Sequence, residues 1–280
     1  MRRGVRMFSF FFKKNFFDAW DNLFHIVLVN LVYIAFVLVF LSLGIFFIAP
    51  HSQEAVSSIY NFFFVILICL VFSIFIFSEG KNASVIANYK APKFVSFFTE
   101  IPSTLKVSVP FGILTGLLVN IAFVSLPYYF NMWASAKENS LSFVYLFFMA
   151  LIFWFLVVTV LAFQWFVPVN ALLHDGFIKC LKKSYIMLFD NLGFTLLLFL
   201  VNVLNLLLTV FTMGITGNFS TVLITNTNAL RLRLYKYDWQ EVNPELSAKE
   251  LKNVPWEELL RKDKATVGDR TLKSLFKPWK

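Results

Sequence analysis

The sequence predicts an all-α membrane protein that crosses the bilayer several times, and three observations support this fold class. Hydrophobic residues make up 59% of the 280 positions and charged residues only 15%, against about 45–50% and about 25% in soluble domains. Charge is absent from five long runs, and the basic residues lie mainly between them. This composition excludes a water-soluble domain, a disordered chain and a secreted disulfide scaffold.

The five charge-free runs predict five membrane crossings. A helix needs about 20 predominantly apolar residues to span the hydrocarbon core. A Lys, Arg or Asp at the centre of such a helix costs about 2.5–3.5 kcal/mol, so inserted helices avoid them. The runs place the crossings at about 23–48, 58–78, 107–130, 142–165 and 192–213.

The number of crossings depends on the polar stretch 214–234. Its hydropathy alone does not decide whether it crosses the membrane. Cytoplasmic segments of membrane proteins carry an excess of Lys and Arg. A sixth crossing at about 216–234 would place both termini in the cytoplasm, with 24 of the 25 basic residues on that side. We therefore predict a six-crossing transmembrane domain over 1–235. A re-entrant segment at 214–230 is the alternative.

Three segments before outward crossings predict amphipathic elbow helices that lie on the membrane surface, at about 7–20, 93–106 and 176–190. Each has Phe, Trp or Leu on one side and polar or basic residues on the other, as an interfacial helix requires. The predicted plan is an elbow helix followed by a hairpin of two crossings, used three times. A Val-Asn pair that recurs in crossings 1, 3 and 5 supports parallel repeats.

Asparagine is the main polar residue at the predicted membrane depth, at positions Asn30, Asn120, Asn202 and Asn226. These amides either form hydrogen bonds between helices or converge to line a polar interior site. Ionisable residues within a membrane are candidates for function. His25 is predicted at the inner end of crossing 1, and none of the three histidines is predicted at mid-membrane with an acidic partner, which argues against a proton-coupled carrier.

Chemical motifs are absent from the sequence: there is no H-E-x-x-H, G-x-S-x-G, P-loop or dinucleotide-binding signature. Cys69 is predicted in crossing 2 and Cys180 in a cytoplasmic segment, so no disulfide and no metal cluster is expected. We predict no enzymatic activity, no catalytic residues, no cofactor and no metal. Gly112 and Gly116 form a G-x-x-x-G pattern, which predicts close approach of another helix.

Residues 236–280 predict a charged cytoplasmic tail with short helices. Its ten basic and eight acidic residues nearly balance, so nucleic-acid binding is not expected. Its apolar residues have two interpretations: they fold back on the inner loops, or they dock a membrane or cytoplasmic protein partner. The candidate docking residues are Trp256, Leu259, Phe276 and Trp279.

The sequence resembles the YesL-like family of uncharacterised bacterial membrane proteins over about 10–235. The resemblance rests on the entry segment FFFKKNFFDAWDNLFHIVLVNL and on FQWFVPVNALLHDGFIKCLKKSYIMLFDNLGFTLLL, which contains Pro168, Lys182 and Asn191. The chain lacks the family's Gly-Pro-rich segment after crossing 2 and adds the long tail. The resemblance implies a bacterial inner (plasma) membrane location and an accessory role in carbohydrate ABC transport.

Two functions follow as hypotheses. The first is a non-enzymatic accessory or scaffold component of a transport assembly, embedded in the lipid bilayer. The alternative is a small-solute transporter or channel with an Asn-lined interior. A continuous polar cavity lined by the four asparagines would favour the alternative.

Overall fold

The structure, a computed structural model, describes residues 2–47, 55–136, 142–247, 250–251, 253–268 and 270. Within them the chain forms helices joined by turns, and none of the described residues forms a strand. The helices are α1 (Arg2–Asp21), α2 (Leu23–Phe47), α3 (Ala55–Ala87), α4 (Ser96–Thr99), α5 (Ile101–Ser135), α6 (Ser142–Phe163), α7 (Phe166–Leu173), α8 (Phe177–Asp190), α9 (Leu192–Phe211), α10 (Phe219–Val242), α11 (Trp256–Leu259) and α12 (Arg261–Val267).

Five described segments are long and apolar enough to cross a membrane, and they coincide with the first five predicted crossings. They contain α2, α3, α5, α6 and α9. Large apolar side chains cover their outer faces, for example Phe46, Phe123 and Phe211, each more than 70% exposed. Soluble proteins rarely expose so much contiguous apolar surface. The five apolar helices therefore confirm the prediction of a multi-pass membrane protein.

The elbow segments differ from one another in the structure. The first and third predicted elbows correspond to separate helices, α1 and α8. The second, 93–106, is divided between the short α4 and the first turns of α5. Pro102 lies in the first turn of α5, where its missing N–H leaves no helical hydrogen bond unmade, so α5 continues without a break into its apolar part.

Helices α3 and α5 approach each other closely at two glycines. A Cβ atom built on Gly112 would lie 2.5 Å from the Cα atom of Leu70. One built on Gly116 would lie 2.8 Å from the Cα atom of Ile66. Real Cβ atoms do not come this near to backbone atoms, so only glycine fits. The close approach predicted from the G-x-x-x-G pattern is confirmed.

Helix α10 lies among the other helices and packs against α1, α2, α3, α7 and α9. Every residue from Leu223 to Leu230 is buried, so this part of α10 has no face towards lipid. The helix is not among the five apolar candidate spans. Its polar side chains are therefore screened from the bilayer by its neighbours.

The turn between α9 and α10 lies about a third of the way along α2 and at the middle of α3. Asn30 Nδ2 of α2 donates a hydrogen bond to the Ile215 carbonyl oxygen at 3.0 Å. The ring of Phe219 lies 4.7 Å from the ring of Phe72 on α3. Beyond this level α2 has 17 further residues and α3 has 17 preceding ones, about 25 Å of helix at about 1.5 Å per residue.

The described part of the tail folds back onto α1. Trp256 and Leu260 are buried in the same hydrophobic core as α1, and Leu259 is half-buried. The Lys13 amine donates to the Gly268 carbonyl oxygen at 2.8 Å. This arrangement agrees with the fold-back interpretation of the tail. The other two candidate docking residues, Phe276 and Trp279, lie outside the described residues.

A polar core around helix α10 as the candidate functional site

Polar side chains from several helices converge on α10 at three levels. We call these groups the Glu79 cluster, the amide cluster and the Asp18 cluster. They follow one another from the start of α10 towards its charged end. The α10 residues that define the three levels are Ser220, Asn226 and Asn228.

The Glu79 cluster joins three helices through one carboxylate. Glu79 of α3 is fully buried. Its Oε1 accepts a hydrogen bond from the Ser220 hydroxyl of α10 at 2.5 Å. Its Oε2 accepts one from Asn82 Nδ2 at 3.0 Å and lies 3.2 Å from Nε2 of His25 on α2. The carboxylate thus holds the beginnings of α2 and α10 against α3.

The pairing of buried His25 with Glu79 is not expected from the sequence, which places His25 at the inner end of crossing 1. The sequence does not reveal this pair, because 54 positions separate the two residues. The predicted crossing 2 ends at 78, whereas α3 continues to Ala87 and keeps the Glu79 side chain inside the bundle. The available signal was weak: Glu79 directly follows the apolar run without a helix-ending residue.

Several buried polar atoms on α2 lack a hydrogen-bond partner among the described residues. They are Nδ1 of His25, Oδ1 of Asn30 and the hydroxyl of Tyr33. Leaving such an atom unpaired costs about 1–3 kcal/mol. These three atoms leave α2 with hydrogen-bonding capacity that the described residues do not use.

The amide cluster connects α9 and α10. Asn202 Nδ2 donates to Oδ1 of Asn226 at 2.7 Å and also approaches Oε1 of Gln164 at 3.2 Å. One turn further along, Asn205 Nδ2 lies 3.3 Å from the Thr225 hydroxyl. The structure therefore brings together two of the four asparagines that were predicted to line a polar interior.

The other two predicted asparagines lie elsewhere and bond to backbone carbonyl oxygens. Asn30 donates to Ile215 in the turn before α10. Asn120 donates to Gly116 of its own helix at 2.9 Å and to Phe62 of α3 at 3.3 Å. Both side chains are buried. These contacts agree with the interpretation that the amides form hydrogen bonds between helices.

The Asp18 cluster connects α1 with α10. The Asp18 carboxylate accepts hydrogen bonds from the Lys14 amine at 2.7 Å and from Asn228 Nδ2 at 2.8 Å. The Lys14 amine also lies 3.7 Å from the ring centre of Tyr89. Burial lowers the pKa of Lys14 and raises that of Asp18, and the attraction between the two charges opposes both shifts.

The charged end of α10 is tied to the tail. Arg231 donates to Oδ1 of Asp263 in α12 at 3.1 Å and also to the Ala87 carbonyl oxygen. The Tyr235 hydroxyl donates to the second Asp263 oxygen at 3.2 Å. Sequence reasoning missed these partners because no local spacing relates residues so far apart in the chain.

The described residues contain no group of three or more His, Cys, Asp or Glu side chains arranged to hold a metal ion. The two cysteines, Cys69 and Cys180, are free thiols. The polar core thus offers hydrogen-bond donors, acceptors and one buried carboxylate–imidazole pair. No protein-family model, curated protein or solved structure matches the chain.

Proposed function

We propose that this protein is a non-enzymatic, multi-pass membrane protein that serves as an accessory or scaffold component of a transport assembly. The observation that carries the proposal is that the interior asparagines form hydrogen bonds within the protein. Each of the four asparagines is bonded to a protein group of a neighbouring segment. Such bonds join helices, at about 0.6 kcal/mol each on average, and they use the amide N–H groups of Asn30, Asn120 and Asn202 and the amide oxygen of Asn226.

The sequence supports a proposal for the cellular location of the protein and for the orientation of its termini. The resemblance to the YesL-like family supports a bacterial plasma membrane and a transport-associated partner. The distribution of Lys and Arg supports a cytoplasmic location for both termini. The candidate docking residues Phe276 and Trp279 belong to segment 271–280, and this is the segment that we propose contacts a partner.

The test is affinity purification of the full chain from membranes in mild detergent. A scaffold should retain one specific membrane or cytoplasmic protein. If segment 271–280 docks it, the double substitution Phe276→Ala and Trp279→Ala should reduce recovery of the partner by about tenfold or more, because aromatic anchors dominate interface energies. The matched control is Lys273→Ala with Lys277→Ala, which should change recovery little. If the full chain retains no specific partner, the accessory proposal fails.

A second candidate function is a channel or carrier that moves protons across the membrane, and the Glu79 cluster is the observation that favours it. A buried carboxylate beside an imidazole is a common element of proton relays in membranes. In sealed proteoliposomes with an imposed pH gradient, the wild type would then move protons and Glu79→Gln would not. Absence of proton flux in wild-type vesicles would eliminate this candidate and leave the scaffold proposal intact.

We further propose that α9 and α10 form a hairpin that enters the membrane from the cytoplasmic side and turns within it. The contacts of the turn with Asn30 and Phe72 support this, since about 25 Å of apolar α2 and α3 extends beyond them. The hairpin leaves both termini on the cytoplasmic side, as six full crossings would. In the hairpin the turn between α9 and α10 lies within the membrane, whereas six full crossings would place this turn on the outer side.

Cysteine labelling distinguishes the two topologies at Met213, whose side chain is 86% exposed on the protein surface. In a background with Cys69→Ala and Cys180→Ala, we expect Met213→Cys to resist a membrane-impermeant maleimide in intact cells, because lipid surrounds it. It should react after solubilisation and unfolding. Ser135→Cys, at the end of α5, is the positive control. Equal labelling of both cysteines in intact cells would show a full sixth crossing.

A further inference from the structure

A cavity of about 690 Å³ lies where α1, the α8–α9 junction, the charged end of α10 and the tail meet. Its volume is within the range of about 300–1,000 Å³ that is usual for small-molecule sites. Apolar walls come from α1, α9 and the tail, and include Phe8, Leu192 and Trp256. Arg233 and Lys236 of α10 contribute positive charge. We call this cavity the Arg233 pocket.

Arg233 is a buried cation that forms no ion pair with any of the described residues. Its side chain is 8% exposed. Its hydrogen-bond partners among the described residues are the Asn191 side-chain oxygen at 3.5 Å and the Met7 sulfur at 3.7 Å. Both contacts are long, and Nε has no partner. None of the ion pairs found in the described part of the chain includes Arg233.

Aromatic rings hold the guanidinium in place without neutralising it. Its central carbon lies 3.9 Å from the ring centre of Phe194 and 5.6 Å from that of Trp256. Such cation–π contacts offset part of the desolvation cost. A buried, unpaired charge remains unfavourable in a protein interior, so an anionic ligand would relieve the cost.

The nearby carboxylate of Asp190 attracts the Arg233 charge from a distance but forms no ion pair or hydrogen bond with it among the described contacts. Asp190 accepts hydrogen bonds from the Lys236 amine at 3.1 Å and from the Tyr237 hydroxyl at 2.5 Å. Counting Arg233, Lys236 and Asp190, the described walls carry two positive charges and one negative charge. The pocket therefore keeps one net positive charge, centred on the guanidinium.

We propose that the Arg233 pocket binds the phosphate group of an anionic ligand, with the guanidinium donating to two phosphate oxygens. The surroundings favour a phospholipid head group as the source. Leu192 on the wall is half-exposed, and the apolar outer face of α9 continues from it. Acyl chains could lie along this face while the phosphate enters the pocket, as in basic head-group sites between membrane helices. This inference is independent of the proposed transport role.

The test measures thermal unfolding of the purified, delipidated full chain while lipid is added to the micelles. Phosphatidylglycerol should stabilise the wild type with a midpoint concentration well below that of phosphatidylcholine. Arg233→Met should shift the phosphatidylglycerol midpoint by about tenfold or more, since a charge-assisted hydrogen bond is lost. The matched control is Arg261→Met, which removes an exposed arginine of the tail and should leave the midpoint unchanged.

Two further measurements, with the Arg233→Lys variant and with inorganic phosphate, test the proposal when Arg233→Met alone does not. Arg233→Lys preserves the charge but not the forked geometry, so it covers the case in which Arg233→Met does not fold, and it should bind with intermediate affinity. Inorganic phosphate added without lipid identifies the source: stabilisation that depends on Arg233 would assign the site to a soluble phosphate compound. If wild type and both Arg233 variants respond alike to phosphatidylglycerol and to phosphate, the proposal is overturned.

Discussion

Replacing Glu79 with glutamine is expected to destabilise the folded protein by about 1–3 kcal/mol, the cost of leaving a buried hydrogen-bonding group unsatisfied. The two side chains have the same shape, but glutamine replaces one acceptor oxygen with an NH₂ donor. Both oxygens of Glu79 receive donors, from Ser220 on one side and Asn82 on the other. An NH₂ group at the Oε2 position would face the NH₂ group of Asn82, and one at the Oε1 position would require the Ser220 hydroxyl to rotate and accept instead of donating. Unfolding in mixed detergent micelles measures the change.

Two comparisons test whether this loss arises in the Glu79 cluster. Glu241→Gln changes an exposed glutamate of α10 and should alter stability by less than about 0.5 kcal/mol. In a double-mutant cycle, Ser220→Ala should cost clearly less in the Glu79→Gln background than in the wild type, because the bond between them is already broken. Additive effects would mean that the hydrogen bond does not stabilise the bundle.

Alanine at Gly112 is expected to cost about 3 kcal/mol, the upper end of the usual range for overpacking. The new methyl group would meet the backbone of Leu70 at 2.5 Å and the Cys69 carbonyl oxygen at 3.0 Å. Backbone atoms within a helix cannot move aside as a flexible side chain can. Helices α3 and α5 would have to separate along their shared interface. Thermal unfolding of the purified protein checks this expectation.

Gly193 provides the matched control for Gly112. It also lies in a helix, α9, but a Cβ atom there would meet nothing within 4 Å. Gly193→Ala should therefore be neutral or stabilising by about 0.5–1 kcal/mol, since glycine weakens helices relative to alanine. If both alanine variants unfolded alike, steric approach at Gly112 would not be what holds α3 and α5 together.

The apolar helices could be predicted from the sequence because one strong energetic term dominates them. A charge inside hydrocarbon is so unfavourable that its absence marks each crossing. The predicted crossings 23–48 and 142–165 match α2 and α6 to within two residues at each end. Helix ends outside the hydrocarbon have no such constraint. The extension of α3 to Ala87 could therefore not be read from hydropathy.

The polar core could be predicted only in part. Asparagines at membrane depth marked Asn202 and Asn226 as residues that need partners, and they are partners of each other. Which amide meets which acceptor depends on helix register and rotation, and neither follows from composition. Glu79 and Asp18 lie near predicted helix boundaries, where a charged residue is equally compatible with solvent. Their burial follows from the central position of α10, which only the three-dimensional packing reveals.

The central position of the polar helix α10 has a consequence for biogenesis. Asn226 and Asn228 in its first half and Arg231 and Arg233 in its second half would each raise the cost of entering lipid alone, by about 2.5–3.5 kcal/mol for an arginine at the bilayer centre. Helix α10 cannot therefore insert as an independent segment from the translocon. It must join a bundle in which Glu79 of α3 and Asp18 of α1 are already in place. The order of synthesis, with α10 last of the long helices, provides this sequence of assembly.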